Sequence, residues 1–219
     1  MDTNQTLSKK QRSMIPIAAF TASGDLDKLK NAFQEGLTAG LTVNETKEIL
    51  VHLYAYAGFP RSLNAINSFM TLLKERQNQG IEDEIGPEAS PIPADLNKDE
   101  FGAKVRAKLA GWETIPPASG YQIFVPIIDT FLKEHIFADI FARDVLDFQS
   151  RELATISALA NLPGTAGQLY FHLGAAMNTG LSKAQMKAFI EVLESKVDQE
   201  VARNANEIFE KVLDNRTKS

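Results

Sequence analysis

The sequence predicts an all-α chain in which two tandem copies of one helical unit are joined by an irregular linker. Three observations carry that expectation. First, apolar residues recur at three and four positions nearly throughout: Leu26, Leu29, Phe33 and Leu37, then Ile49, Leu50, Leu53 and Tyr54, and late in the chain Ile208, Val212 and Leu213. That is the helical period, and no two-residue alternation marks a strand. Second, helix stops and starts recur in the same form. Gly40-Leu41-Thr42 and Gly180-Leu181-Ser182 each read as a glycine stop followed by a hydroxyl N-cap. Third, the chain repeats itself at long range.

Taken in order, the pattern predicts helices over 8–20, 25–39, 43–57 and 61–78, with Gly58-Phe59-Pro60 separating the last two because proline cannot continue a helix. From Gln79 to Lys98 the periodicity stops. Pro87, Pro91, Pro93, two glycines and several acids make this an irregular linker, either a tether or a functional arm. A helix is predicted over 98–109. A second loop, Gly111 to Tyr121, carries Trp112 and Pro116-Pro117. Further helices follow over 127–144, 147–161, 165–179, 183–196 and 198–213. The charged face from Glu194 to Glu210 reads as solvated.

The repeat is visible residue by residue. At a shift of 140, Leu29 meets Leu169, Gly40-Leu41 meets Gly180-Leu181, Lys47 meets Lys187, Leu53 meets Leu193, Asn64-Ala65 meets Asn204-Ala205, and Phe69 meets Phe209. At a shift of 139, Arg12 meets Arg151 and Ile17 meets Ile156. Residues 8–75 and 147–215 are therefore read as two copies of a four-helix unit, organised as 1–78, a linker with loops over 79–126, and 127–219. Two such copies can pair about a pseudo-twofold axis, and sites often lie where the copies meet.

Composition excludes several functions. There is no cysteine, so disulfides, thiolate metal sites and a cysteine nucleophile are ruled out. A formal charge of −5 argues against a nucleic-acid partner. The early apolar run from Met14 to Phe20 is too short to span a bilayer. No signal peptide is visible at the N-terminus, and a soluble, cytoplasmic protein without membrane partners is expected. No phosphate loop, dinucleotide fingerprint or HExxH is present, and neither a metal nor an organic cofactor is expected.

Gly40-Leu41-Thr42, Glu48, Tyr56-Ala57-Gly58-Phe59-Pro60 and Asn64-Ala65 together resemble the carboxymuconolactone decarboxylase family, which includes the alkylhydroperoxidase D proteins. The second copy resembles it through Arg151-Glu152-Leu153, His172, Ala176, Asn178 and Gly180-Leu181. The resemblance implies an all-helical alkylhydroperoxidase D-like fold and, for a two-copy chain, a homotrimer of six quasi-equivalent units. The peroxidase branch uses a glutamate, a CxxC pair and a histidine. Glu152 and His172 match the outer two, but Thr165 and Gln168 stand at the cysteine positions. Hydroxyl and amide groups cannot cycle through sulfenate and disulfide, so a thiol peroxidase mechanism is excluded. The first copy carries Ser13 and Ala32 at the glutamate and histidine positions.

The candidate catalytic pair is therefore Glu152 and His172. A histidine with a carboxylate partner makes a tunable acid/base. The alternative is a buried, hydrogen-bonded histidine, with Glu152 an acid of the first helical turn facing the dipole. Arg151 reads either as a structural ion pair or as the anchor of an anionic substrate through its planar fork. Arg61, after the AGFP turn, could assist a carboxylate or sit in solvent. Thr165 and Gln168 would line the pocket. His135 with Asp139, and His52 with Glu48 and Tyr56, read as core or interface pairs. The resemblance implies decarboxylation of a small unsaturated carboxylated lactone. The rivals are a cysteine-free relative that binds a small ligand without turnover, and reduction or isomerisation of a related unsaturated acid.

Overall fold

The computed structural model describes residues 6–218; residues 1–5, part of the stretch read as free of a signal peptide, and residue 219 lie outside it. It is all-α, with no strand among the described residues. No helix is long and apolar enough to cross a membrane among them.

Helix α1 (Lys9–Ser23) starts at a capping box, in which Ser8 accepts from the Gln11 N–H and the Gln11 side chain accepts from the Ser8 N–H. Every residue from Met14 to Ala22 is buried, so α1 is apolar all round and runs through the middle of the molecule. Helix α2 (Leu26–Thr38), capped by Asp25, buries the stripe Leu29, Ala32, Phe33 and Gly36. Helix α3 (Val43–Asn78) begins at a second capping box, Thr42 with Glu45. The two helices read before and after the AGFP turn are joined end to end across a kink at Gly58, whose φ of 80° suits a residue without Cβ. Pro60 follows two residues later, so the break costs the chain almost no length.

The linker is no free tether. The carbonyls of Glu84 and Ile85 accept the N–H groups of Val43 and Asn44, which are first-turn donors of α3 without helical partners. Asn44 adds a side-chain bond to the Gly86 carbonyl at 2.9 Å, and Arg76 forks onto Asp83. Farther along, the Ser90 N–H donates to Asp144. The linker is thus strapped back onto its own chain.

Helix α4 (Lys98–Ala110) closes at Gly111 in the left-handed conformation. Two short turns follow, α5 (Tyr121–Phe124) and α6 (Pro126–Thr130), and then a π-helical stretch, Phe131–Ile140. The single helix read over 127–144 is thus narrower and wider in turn. Pro126 starts α6, and beyond Thr130 the backbone bonds reach one residue farther than in an α-helix, a register that apolar spacing does not encode. Helices α7 (Phe148–Ala160), α8 (Ala166–Asn178), α9 (Lys183–Val192) and α10 (Gln199–Arg216) complete the chain, with a π turn, Leu193–Val197, before α10.

One core gathers Leu29, Phe33, Leu50, Leu53 and Phe69 of the first half, with Ala154 and Ala158 of α7. A second gathers Leu153, Ile156, Leu173, Phe189 and Phe209 of the second half, with Ile15 of α1. Helices α1 and α7 therefore lie side by side, each adding residues to the other half's core. A third, smaller cluster (Val105, Leu109, Phe137, Phe141 and Ala175) docks α4 and the π stretch against α8.

Gly102 permits that docking. A Cβ at this position would stand 1.9 Å from the Lys133 carbonyl oxygen, so α4 and the π stretch touch backbone to backbone. Gly102→Ala is expected to lower stability by about 1–3 kcal/mol, as overpacking does when backbone must move. The urea midpoint measures it, and an unchanged midpoint would mean that this contact is looser than described.

Candidate functional site

Three helices supply a buried polar network at the centre of the molecule. Glu48, His52 and Tyr56 follow each other at four-residue intervals down one face of α3. Arg151, Glu152 and Thr155 come from α7, and His172 from α8. Arg143 stands just beyond the π stretch.

At one end Glu48, only 2% exposed, holds two guanidinium groups. Arg143 reaches it through Nε at 3.0 Å to both oxygens and through Nη2 at 2.9 Å. Arg151 reaches Oε1 through Nη2 at 2.7 Å and also donates to the Arg143 carbonyl. Arg151 is completely buried, and burial lowers its pKa, opposed by the Glu48 carboxylate. Its Nη2 is paired with Glu48 and its Nε is buried without a partner among the described residues, so the whole guanidinium is enclosed in the core as an ion pair and lines no cavity.

Next in the chain of contacts is His52. Thr155 donates its hydroxyl to the Arg151 carbonyl at 2.9 Å, so the 2.8 Å contact from His52 Nε2 to that hydroxyl places a proton on Nε2. Nδ1 then accepts from Arg151 Nη1 at 3.5 Å. Burial first, then the charge of Arg151 and the presence of His172, hold His52 well below the usual imidazole range, so the ring is neutral. In the unfolded chain the same ring titrates near about 6.5. Between those two values the unfolded state takes up a proton that the folded state refuses. Stability therefore falls as pH drops below about 6.5, by up to about 1.4 kcal/mol per pH unit from this group. Urea midpoints of wild type and His52→Gln between about pH 7.5 and 5.5 isolate the effect. The variant is expected to lose the steeper part of the acid slope, and equal slopes would remove His52 as its source.

At the other end, His172 Nδ1 meets Glu152 Oε2 at 2.8 Å. Glu152 is fully buried and His172 nearly so. Tyr56 stands edge-on to the His172 ring, with ring centroids 5.5 Å apart. Burial, with the Glu152 charge, pushes the Tyr56 phenol far above its ordinary value, so it stays a neutral hydroxyl. Tyr56 Oη and Glu152 Oε1 are both buried without a hydrogen-bond partner among the described residues. The pair thus leaves His172 Nε2 as the ring nitrogen not engaged by Glu152.

His172 borders a cavity of about 550 Å³, lined also by Gln168, Phe171, Arg106, Trp112 and Gln122. Of the residues read from sequence, Gln168 and His172 reach this wall and Glu152 stands behind His172. Thr165 does not line it; its hydroxyl donates to the Leu159 and Leu162 carbonyls, each at 2.8 Å, and closes the turn before α8. Arg151 is drawn into the Glu48 network. Arg61 lies elsewhere and donates to the Ser23 carbonyl at the end of α1. A Cβ on Gly24 would collide with its guanidinium. His135 does pair with Asp139, at 3.0 Å, but in an exposed position.

Sequence reasoning missed Arg106, Gln122 and the place of Trp112 on this wall, because it read 79–126 as linker and loops. One signal was present: Arg106 lies beside the helical stripe Phe101, Val105 and Leu109. No group of three or more His, Cys, Asp or Glu side chains among the described residues is placed to hold a metal ion.

Residues 1–69 match the model of the carboxymuconolactone decarboxylase family. No curated protein matches the chain. The match covers α1, α2 and α3 as far as Phe69, and so includes Glu48, His52 and Tyr56 but stops short of Glu152 and His172. Over its first 69 residues the chain is therefore similar to the carboxymuconolactone decarboxylase family, and that segment packs into a helical bundle whose buried polar network joins both halves.

Proposed function

We propose that the protein is a decarboxylase-type enzyme acting on a small unsaturated carboxylated lactone by acid/base chemistry at His172. The observation that carries this reading is the 2.8 Å His172–Glu152 contact at the wall of a cavity large enough for a small molecule. In the reaction the bond between the substrate's ring carbon and its carboxylate breaks. Carbon dioxide leaves, and the electron pair moves into the conjugated lactone. The substrate's own carbonyl accepts those electrons, so the protein must supply a proton, an orienting carboxylate and a site with little water. With the imidazole protonated, Glu152 holds Nδ1–H and Nε2–H is delivered to carbon. The ring is left as the Nδ1–H tautomer, still bonded to Glu152, and recovers its proton from solvent.

The test is carbon dioxide release from γ-carboxymuconolactone by wild type. Release supports the reading. No release from folded protein, together with tight binding of a small acid, would favour the non-catalytic ligand binder.

A homotrimer belongs to the same proposal. Tyr121, Ile123, Phe124, Ile127, Ile128 and Phe131 form a run of exposed apolar side chains, with Phe124 88% exposed. Such a surface suits contact with another subunit. Light scattering is expected to give about 72 kDa, three times the 24.1 kDa chain. A single-chain mass would reject the trimer.

A further inference from the structure

With Arg151 committed to Glu48, the cavity still needs a cation if it takes an acid, and one is present on its opposite supply of residues. Arg106 of α4 borders the cavity and is 8% exposed. Its Nη1 donates to Asp129 Oδ1 at 2.6 Å. The Nε–Nη2 edge has no acceptor among the described residues, and Nε is buried. A buried guanidinium N–H without an acceptor is costly in a finished core, where nearly all such groups are paired. Nη2, unlike Nε, is not among the buried unpaired atoms, and a charged N–H of this kind takes a carboxylate in a strong, charge-assisted hydrogen bond.

The surroundings hold Arg106 in that pose. Asp129 also accepts from Gln122 Nε2 at 2.9 Å and lies 3.5 Å from Lys133 Nζ, which is itself paired with Asp99. Burial opposes ionisation of Asp129, but the bonds from Arg106 and Gln122 and the nearby cations prevail, and its carboxyl is held below the usual range. Asp129 therefore stays a carboxylate and fixes one edge of the guanidinium. Trp112 and Phe171 add flat apolar walls, and Gln122 and Gln168 add amides. That set matches a planar, conjugated, anionic molecule rather than a neutral lipid or a cationic one.

We propose that Arg106 is the carboxylate anchor of the His172 cavity, its free Nη2 binding one carboxylate of a planar unsaturated acid while Asp129 and Gln122 keep the guanidinium in place. The assignment rests on the reading of this cavity as the substrate site. It puts recognition on the segment between the two copies and the proton donor on the second copy. Arg106 binds substrate, and Asp129 and Gln122 position it.

The test measures binding and not turnover, so its failure is distinct from failure of the decarboxylase reading. The probes are trans,trans-muconate and its dimethyl ester, which share a conjugated skeleton and differ in charge. Calorimetry gives the affinity, and fluorescence of Trp112, the sole tryptophan, reports occupancy of this cavity. Wild type is expected to bind muconate at least about tenfold more tightly than the ester. Arg106→Gln is expected to remove that preference and leave ester affinity in place. Arg106→Gln combined with Asp129→Asn leaves no unpaired buried carboxylate, so it keeps the test open if the single variant does not fold. The double variant is also expected to lose the preference. Muconate affinity that survives in either folded variant overturns the assignment. So does a wild type that fails to bind muconate, or binds it no better than the ester.

Discussion

Glu48→Ala is expected to cost about 3–5 kcal/mol of folding free energy, the range for breaking a buried ion pair from one side. Typical domains hold only about 5–15 kcal/mol in total, so the variant should be near the edge of folding. The size follows from asymmetry. Arg143 is about one-third exposed and can turn to water, but Arg151 cannot. Without Glu48, Arg151 keeps a full charge in the core, with the Arg143 carbonyl and the neutral His52 ring as its contacts. Removing both charges together should recover much of the loss, because the penalty lies in the orphaned cation. Urea unfolding of Glu48→Gln, Arg151→Met and the double variant forms a cycle that reads the coupling. Additive losses would mean that the two side chains do not stabilise one another, contrary to the 2.7 Å contact.

His172→Ala should lower turnover of γ-carboxymuconolactone by about 10²–10⁴-fold, the usual worth of a positioned general acid. The substitution also leaves Glu152 buried without its hydrogen-bond donor. His172→Gln, which restores a donor but not a titrating ring, separates lost chemistry from lost stability. Both variants should show that loss of turnover, and the glutamine variant should retain more stability. Glu152→Gln is expected to cost less, about 10–100-fold, because it disturbs the orientation of the imidazole rather than removing it. Full activity in His172→Gln would eliminate His172 as proton donor.

The two expectations differ in how far the sequence could support them. Helices and caps were legible because each depends on short-range signals, whereas the pairing of Glu152 with His172 was only what the family resemblance implied. Ser8, Thr42 and Ser182 bond within three residues of themselves. The order Arg151-Glu152 followed by His172, set in the resemblance to a known family, put a carboxylate and an imidazole on consecutive helices, and the structure brings them to 2.8 Å. The same local signals left Arg151 open between ion pair and anchor.

Periodicity says which face of a helix is apolar and how its ends are closed, and these the sequence by itself determined for nearly every helix here. It does not say which distant side chain meets that face. Glu48 and Arg151 are 103 residues apart, Arg143 and Glu48 are 95 apart, and Asn178 caps onto a carbonyl 69 residues back. Arg106 became a cavity residue only because Gly102 lets α4 lie directly on the π stretch, against α8. Tertiary structure alone decided that Arg151 is spent inside the core while Arg106 faces the cavity. Two arginines of identical chemistry are told apart by which carboxylate the packing brings within reach, and by whether the rest of the guanidinium is sealed in the core or borders a cavity.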